Sequence, residues 1–94
     1  MQPPPPPRRS SWRVDLSTQA AKDLDKLTDD VAARIRAALL DLACDPFRPG
    51  LPVKKLQGES TLRLRVGDYR VLYIADRITR LLHVLRIRNR KDAY

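Results

Sequence analysis

Trp12, Val14 and Leu16 alternate with Ser11, Arg13 and Asp15, the period of two expected of a half-buried strand. The period then changes. Ala20, Ala21, Leu24 and Leu27 recur every three or four residues, one stripe of a helix, and Ser17 stands where a hydroxyl can cap that helix's first amides. Lys22, Asp23, Asp25 and Lys26 are expected on its outer face. Thr28 offers a second cap, followed by Asp29 and Asp30 where carboxylates favour the positive end of a helix dipole. Val31, Ile35, Leu39 and Leu42 run down one face of this second helix, and so short a joint predicts an antiparallel helical hairpin. The helix must stop near Cys44, because Asp45 precedes Pro46, and Pro49, Gly50 and Pro52 follow.

Beyond the segment Lys54-Lys55-Leu56-Gln57-Gly58, period two returns. Residues 61–66 alternate and meet residues 69–75 through Gly67 and Asp68 alone, a strong hairpin signal. A last strand runs from Leu81 to about Ile87, after a turn around residues 76–79. The predicted order is β-α-α-β-β-β: an α+β fold with a helical hairpin packed on a small, mostly antiparallel, four-stranded sheet. Residues 12–94 are expected to form a single domain. Residues 1–11 contain five of the eight prolines, Pro3 to Pro7, and read as a disordered tail; a docking peptide for an aromatic groove is the functional alternative.

With Gly67 and Asp68 as the loop, Val66 lies opposite Tyr69, Arg65 opposite Arg70, Leu64 opposite Val71 and Arg63 opposite Leu72. Leu62, Leu64, Val66, Tyr69, Val71 and Tyr73 then share the face that packs on the helices, and Arg63, Arg65 and Arg70 share the other. Like charges directly opposite each other are unfavourable, by roughly a few tenths of a kcal/mol on a wet surface. An anion relieves that repulsion, and guanidinium suits phosphate because it grips with two N–H groups and never loses its charge. Arg86, Arg88 and Arg90 alternate along the last strand and are expected to extend the basic face.

Composition agrees with this picture. Ninety-four residues suffice for one small domain. Lys plus Arg number 19 against 11 Asp plus Glu, a net charge of +8. Residues 1–47 hold seven basic and seven acidic side chains, so the whole excess falls in residues 48–94, which points to an anionic partner. With one cysteine, Cys44, and one histidine, His83, the chain has neither an internal disulfide nor a zinc ligand set, and it reads as cytoplasmic. No apolar run approaches the roughly twenty residues of a membrane span, so no membrane partner is expected. Arg8 and Arg9 precede no apolar segment, and the start reads as untargeted.

Catalysis, if present, must manage without the usual groups. His83 sits alone between Leu82 and Val84 as a packed or edge residue, which rules out a histidine-pair ribonuclease. Cys44 has no obvious base partner and reads as a small core residue. Glu59, Asp68, Asp76 and Asp92 are scattered, against a two-metal carboxylate cluster. No metal or cofactor is expected. Tyr94 supplies a hydroxyl that could move protons.

The strand order, the helix start Gln19-Ala20-Ala21-Lys22-Asp23-Leu24, Asp45-Pro46 and the Lys54 to Gly58 segment together resemble the RelE/ParE toxin superfamily. Most specific is Leu64-Arg65-Val66-Gly67-Asp68-Tyr69-Arg70-Val71-Leu72-Tyr73, similar to the superfamily's central hairpin. The ending Ile87-Arg88-Asn89-Arg90-Lys91-Asp92-Ala93-Tyr94 resembles the RelE branch. The resemblance covers residues 12–94. It implies a type II toxin that enters the ribosomal A site and cuts messenger RNA without a metal, leaving a 2′,3′-cyclic phosphate, and that a cognate antitoxin holds inactive. Carried over by position, Arg70 stabilises the charged phosphate, Arg88 acts near the leaving group, and Tyr94 stacks a base and transfers protons. Arg63 occupies the place of an important lysine. Lys54, Lys55, Arg65, Arg86 and Arg90 are the remaining candidate RNA-binding residues. The chain departs from the pattern at Thr61, where relatives carry a second lysine, and arginine at 63 is a poor base but a good electrostatic clamp. The resemblance leaves open two alternatives: a ParE-like toxin that poisons DNA gyrase without being an enzyme, and an inactive relative that only binds its antitoxin.

Overall fold

The computed structural model describes residues 12–56, 58 and 60–91. The proline tail and Tyr94 lie outside them. Strand β1 (Arg13–Leu16) leads into helices α1 (Thr18–Asp25) and α2 (Asp29–Cys44), followed by strands β2 (Val53–Lys55), β3 (Leu62–Val66), β4 (Tyr69–Asp76) and β5 (Leu81–Asn89). The strands form one mixed sheet in the order β1-β5-β4-β3-β2, with β1 parallel to β5 and every other pairing antiparallel. Two helices packed on this sheet make the α+β fold that periodicity predicts, with five strands rather than four. The additional strand, β2, is three residues long and starts directly after Pro52, too short for alternation to mark it. It forms because the outer edge of β3 offers free ladder groups, and it pairs Lys54 with Arg63 and Lys55 with Leu62.

Both caps form where the hydroxyls stand. Ser17 Oγ accepts from the Ala20 amide at 3.0 Å and donates to the Leu85 carbonyl at 2.8 Å, so one side chain starts α1 and ties it to β5. Thr28 Oγ1 accepts from the Val31 amide at 3.4 Å. At the other end of α2, the Asp45 carboxylate accepts from the Phe47 amide at 3.3 Å and turns the chain away. Cys44 is half-buried, and its thiol donates to the Leu40 carbonyl at 3.4 Å.

Helix α1 lies over β5 and β1, and α2 over β1 and β3. Ala20, Leu24, Ile35, Leu39 and Leu42 are buried against Leu64, Val71, Tyr73, Leu82, Val84 and Ile87. Trp12 closes one end, edge-on to Phe47 with ring centroids 5.6 Å apart, while the Arg77 guanidinium lies 4.0 Å above the Phe47 ring. Among the described residues no helix is long and apolar enough to cross a membrane.

The Tyr73 hydroxyl is buried in this core without a hydrogen-bond partner, and burial pushes its pKa up to about 12. An unsatisfied buried hydroxyl costs about 1–3 kcal/mol. Tyr73→Phe is therefore expected to raise stability by about 1 kcal/mol, read as a higher denaturant midpoint at unchanged slope. A lower midpoint would mean that the hydroxyl is satisfied by bound water.

Strand β5 does not keep a single alternation. Leu72 pairs with Arg86 but Tyr73 pairs with Val84, so Leu85 is an extra residue and the strand bulges there. Leu82 and Val84 point into the core before the bulge and Ile87 after it, and the strand continues two residues past its expected end.

Candidate anion-binding site

The hairpin adopts the expected register, with Arg65 directly opposite Arg70 and Arg63 opposite Leu72. Strand β5 extends it, because Arg70 is in turn opposite Arg88. Arg65, Arg70 and Arg88 thus form a row across three adjacent strands. In the next row β2 sets Lys54 beside Arg63. Residues 51–54, Arg63, Arg65 and Arg70 line an open cleft of about 360 Å³ on the sheet face away from the helices. No carboxylate of the described residues pairs with Arg65, Arg70 or Arg88.

Local backbone geometry aims these groups. Gly67 has φ of 59° and Asp68 is not in the left-handed region, the two-residue turn that favours glycine first. The turn presents its carbonyls to Arg70, whose guanidinium donates to Gly67 O at 3.1 Å and to Tyr69 O at 3.0 Å. Two of Arg70's five N–H directions are thereby fixed, and the others remain for an anion. The Arg90 amide donates to Asp68 O at 2.7 Å, which ties the end of β5 to the same turn and keeps Arg88 beside Arg70. From α2, a guanidinium nitrogen of Arg34 lies 3.1 Å from where a Cβ on Gly67 would stand.

Not every candidate joins the row. Lys55 pairs with Leu62, on the other side of the sheet from Lys54. Arg90 is exposed beyond the end of β5. Arg86, which alternation would align with Arg88, bonds instead to α1: its Nε donates to Asp23 Oδ2 at 2.9 Å and its Nη2 to Oδ1 at 3.4 Å. Both arginines are paired beyond the bulge, Arg86 opposite Leu72 and Arg88 opposite Arg70, so Arg86 reaches Asp23 over the edge of β5 that β1 leaves open, where the Ile87 amide also donates to Asp23 Oδ2 at 2.9 Å.

This corrects the expectation for Asp23, which helical periodicity places on the outer face of α1. It is buried, because α1 runs along β5 beyond the reach of β1 and the open strand edge needs an acceptor. Burial pushes the Asp23 carboxyl up. Hydrogen bonds from Arg86, the Ile87 amide and Gln19, with the Arg86 charge, outweigh that and hold it below its ordinary value of 3.8.

Around this pair lies a second cleft of about 630 Å³, lined by Lys26, Tyr69, Arg86, Arg88, Asn89 and Lys91 among others. Sequence reasoning missed Lys26, Asn89 and Lys91 because nothing in their spacing brings the end of α1 to the end of β5. His83 sits elsewhere, its Nδ1 2.9 Å from Asp15 Oδ2 on the neighbouring strand. Among the described residues, no group of three or more His, Cys, Asp or Glu side chains is placed to hold a metal ion.

Residues 14–94 match the model of the ParE toxin of type II toxin-antitoxin system, parDE. The chain belongs to the RelE/ParE toxin superfamily. Solved structures agree with the assignment. The toxin-antitoxin complex RelBE2 from Mycobacterium tuberculosis contains a chain that is 31% identical, with a TM-score of 0.74, covering 83% of this chain and 96% of that one. In the archaeal RelE-RelB complex from Pyrococcus horikoshii the values are 29%, 0.73, 87% and 98%. The intact RelBE complex from E. coli, at 21% identity and a TM-score of 0.70, covers 84% of this chain and 96% of its own and shares the fold. No curated protein matches the sequence at a significant level.

Proposed function

We propose that this RelE/ParE toxin cleaves messenger RNA in the ribosomal A site and so inhibits translation. The observation that carries the reading is the row Arg65, Arg70 and Arg88, three fixed cations directly abreast on the uncovered sheet face. A structural sheet gains nothing from that arrangement, whereas a phosphodiester passing through a doubly negative transition state gains from each cation. In the proposed reaction the ribose 2′-oxygen attacks the adjacent phosphorus, the bond from phosphorus to the 5′-oxygen breaks, and one proton leaves the former oxygen as one reaches the latter. The products are a 2′,3′-cyclic phosphate and a 5′-hydroxyl. Arg65 and Arg70 hold the non-bridging oxygens, Arg88 stabilises charge on the leaving oxygen, and Arg63 acts as an electrostatic clamp beside Lys54. Tyr94 takes its base-placing role from the family resemblance.

A cognate antitoxin is the proposed partner, since the similar chains from M. tuberculosis and P. horikoshii are found in toxin-antitoxin complexes. Incubation with ribosomes programmed with a short message tests the reading. Cuts within the A-site codon bearing 5′-hydroxyl ends are expected. Cuts bearing 5′-phosphates, or equal cutting of naked and ribosome-bound RNA, would overturn it. The second reading, a toxin that binds and poisons DNA gyrase, is favoured by the ParE description of the matching family model.

A further inference from the structure

We infer that the cleft at the free edge of β5 is a second RNA subsite, which takes the nucleotide next to the phosphate held by Arg65, Arg70 and Arg88. The inference rests on the reading of that row as an RNA site. Strand β1 pairs with β5 only from Leu81 to Val84; beyond it Ser17 and Asp23 take up the Leu85 carbonyl and the Ile87 amide, and residues 86–89 of this edge line an opening of about 630 Å³. Arg88 belongs to both places, standing opposite Arg70 in the row and lining the second cleft. The row from Arg65 to Arg88 spans two interstrand steps, about 10 Å, and ends where this cleft begins.

The lining suits a nucleotide. Lys26 and Lys91 are exposed and both line the cleft, one directly after α1 and the other beyond the end of β5. The one carboxylate among the lining residues, Asp23, is taken up by Arg86 and the Ile87 amide, so it does not cancel these charges. Tyr69 and Asn89 stand directly opposite each other on β4 and β5. Tyr69 is half-buried and offers a ring for stacking. The Asn89 side-chain oxygen accepts from the Lys91 amide at 3.0 Å, which orients the group and leaves its NH2 to donate to a base edge. Cations, an aromatic ring and an oriented amide, continuous with a row of arginines, fit a single-stranded RNA better than an acidic peptide, which needs only the cations.

Fluorescence anisotropy with labelled oligoribonucleotides of two to six nucleotides tests this, using the wild type, Lys26→Ala/Lys91→Ala and Arg70→Ala. Wild-type affinity is expected to rise with length. The double lysine variant should bind the dinucleotide within about twofold of wild type but the longer RNAs about tenfold more weakly. Its salt slope should also be shallower by about 1.4, the loss of two cations at ~0.7 per phosphate contact. Both lysines are exposed, so an unchanged melting temperature is the control for folding. Unchanged binding at all lengths, equal loss at all lengths, or cleft-dependent binding of a poly-glutamate peptide in place of RNA overturns the second subsite. Arg70→Ala separates the two claims, because if it binds every length as the wild type does, the reading of the arginine row itself fails.

Discussion

Arg70→Ala is expected to lower the rate of ribosome-bound message cleavage by about 10²–10³-fold, the effect of removing one oriented donor from a charged transition state. Arg70 is the middle cation of its row, and Gly67 and Tyr69 carbonyls hold its guanidinium in place before any substrate arrives. A group already oriented spends nothing on reorganisation as charge develops. Arg70→Lys should recover little of the loss, because a lysine ammonium cannot both hold the turn carbonyls and present a planar fork to phosphate. Stability should fall by no more than about 1 kcal/mol, because the residue lies on the sheet face away from the core and only its hydrogen bonds to the turn carbonyls are lost. Single-turnover cleavage measured beside thermal unfolding distinguishes these effects. A loss below threefold in a folded variant would remove Arg70 from the mechanism.

Asp23→Ala is expected to destabilise the fold by about 2–3 kcal/mol. Breaking a buried charge pair costs about 3–5 kcal/mol, and the Arg86 side chain, 38% exposed, can recover some hydration. The Ile87 amide, however, loses its acceptor at the strand edge. The same carboxylate makes stability depend on pH. Its folded pKa is depressed, so its contribution is fully present above the unfolded value of 3.8 and is lost as pH falls through the lower folded value. Asp23→Asn keeps the shape without the charge. The stability gap between wild type and this variant should be constant near neutrality and should shrink below about pH 4. A gap that stays constant into strong acid would show that the Arg86 pairing contributes nothing through charge.

Much of this molecule was legible in its sequence because the determinants are local. Ser17 and Thr28 mark helix starts by their own hydroxyls, and Gly67-Asp68 sets a register in which every partner from Leu62 to Tyr73 follows by counting. What was not legible depends on long-range pairing. The three residues of β2 become a strand only because β3 has an open edge, and Lys54 reaches Arg63 by that route. The bulge at Leu85 breaks the count along β5, and Arg86, although paired opposite Leu72 beyond it, reaches over the strand edge to Asp23 while Arg88 keeps its place opposite Arg70. Asp23 itself illustrates the limit of helical periodicity. A charged residue at a polar position of an amphipathic helix is normally solvated, and only the neighbouring strand edge makes burial favourable.

The central claim is that the arginine row acts on the phosphodiester of a message being translated. Mapping RNA 5′ ends in cells after brief induction, with wild type and Arg70→Ala/Arg88→Ala side by side, tests it most directly. The account predicts new 5′-hydroxyl ends within translated codons, lost when translation is blocked and lost in the double variant. Intact messages accompanied by a DNA-damage response would contradict it and assign the toxin to gyrase.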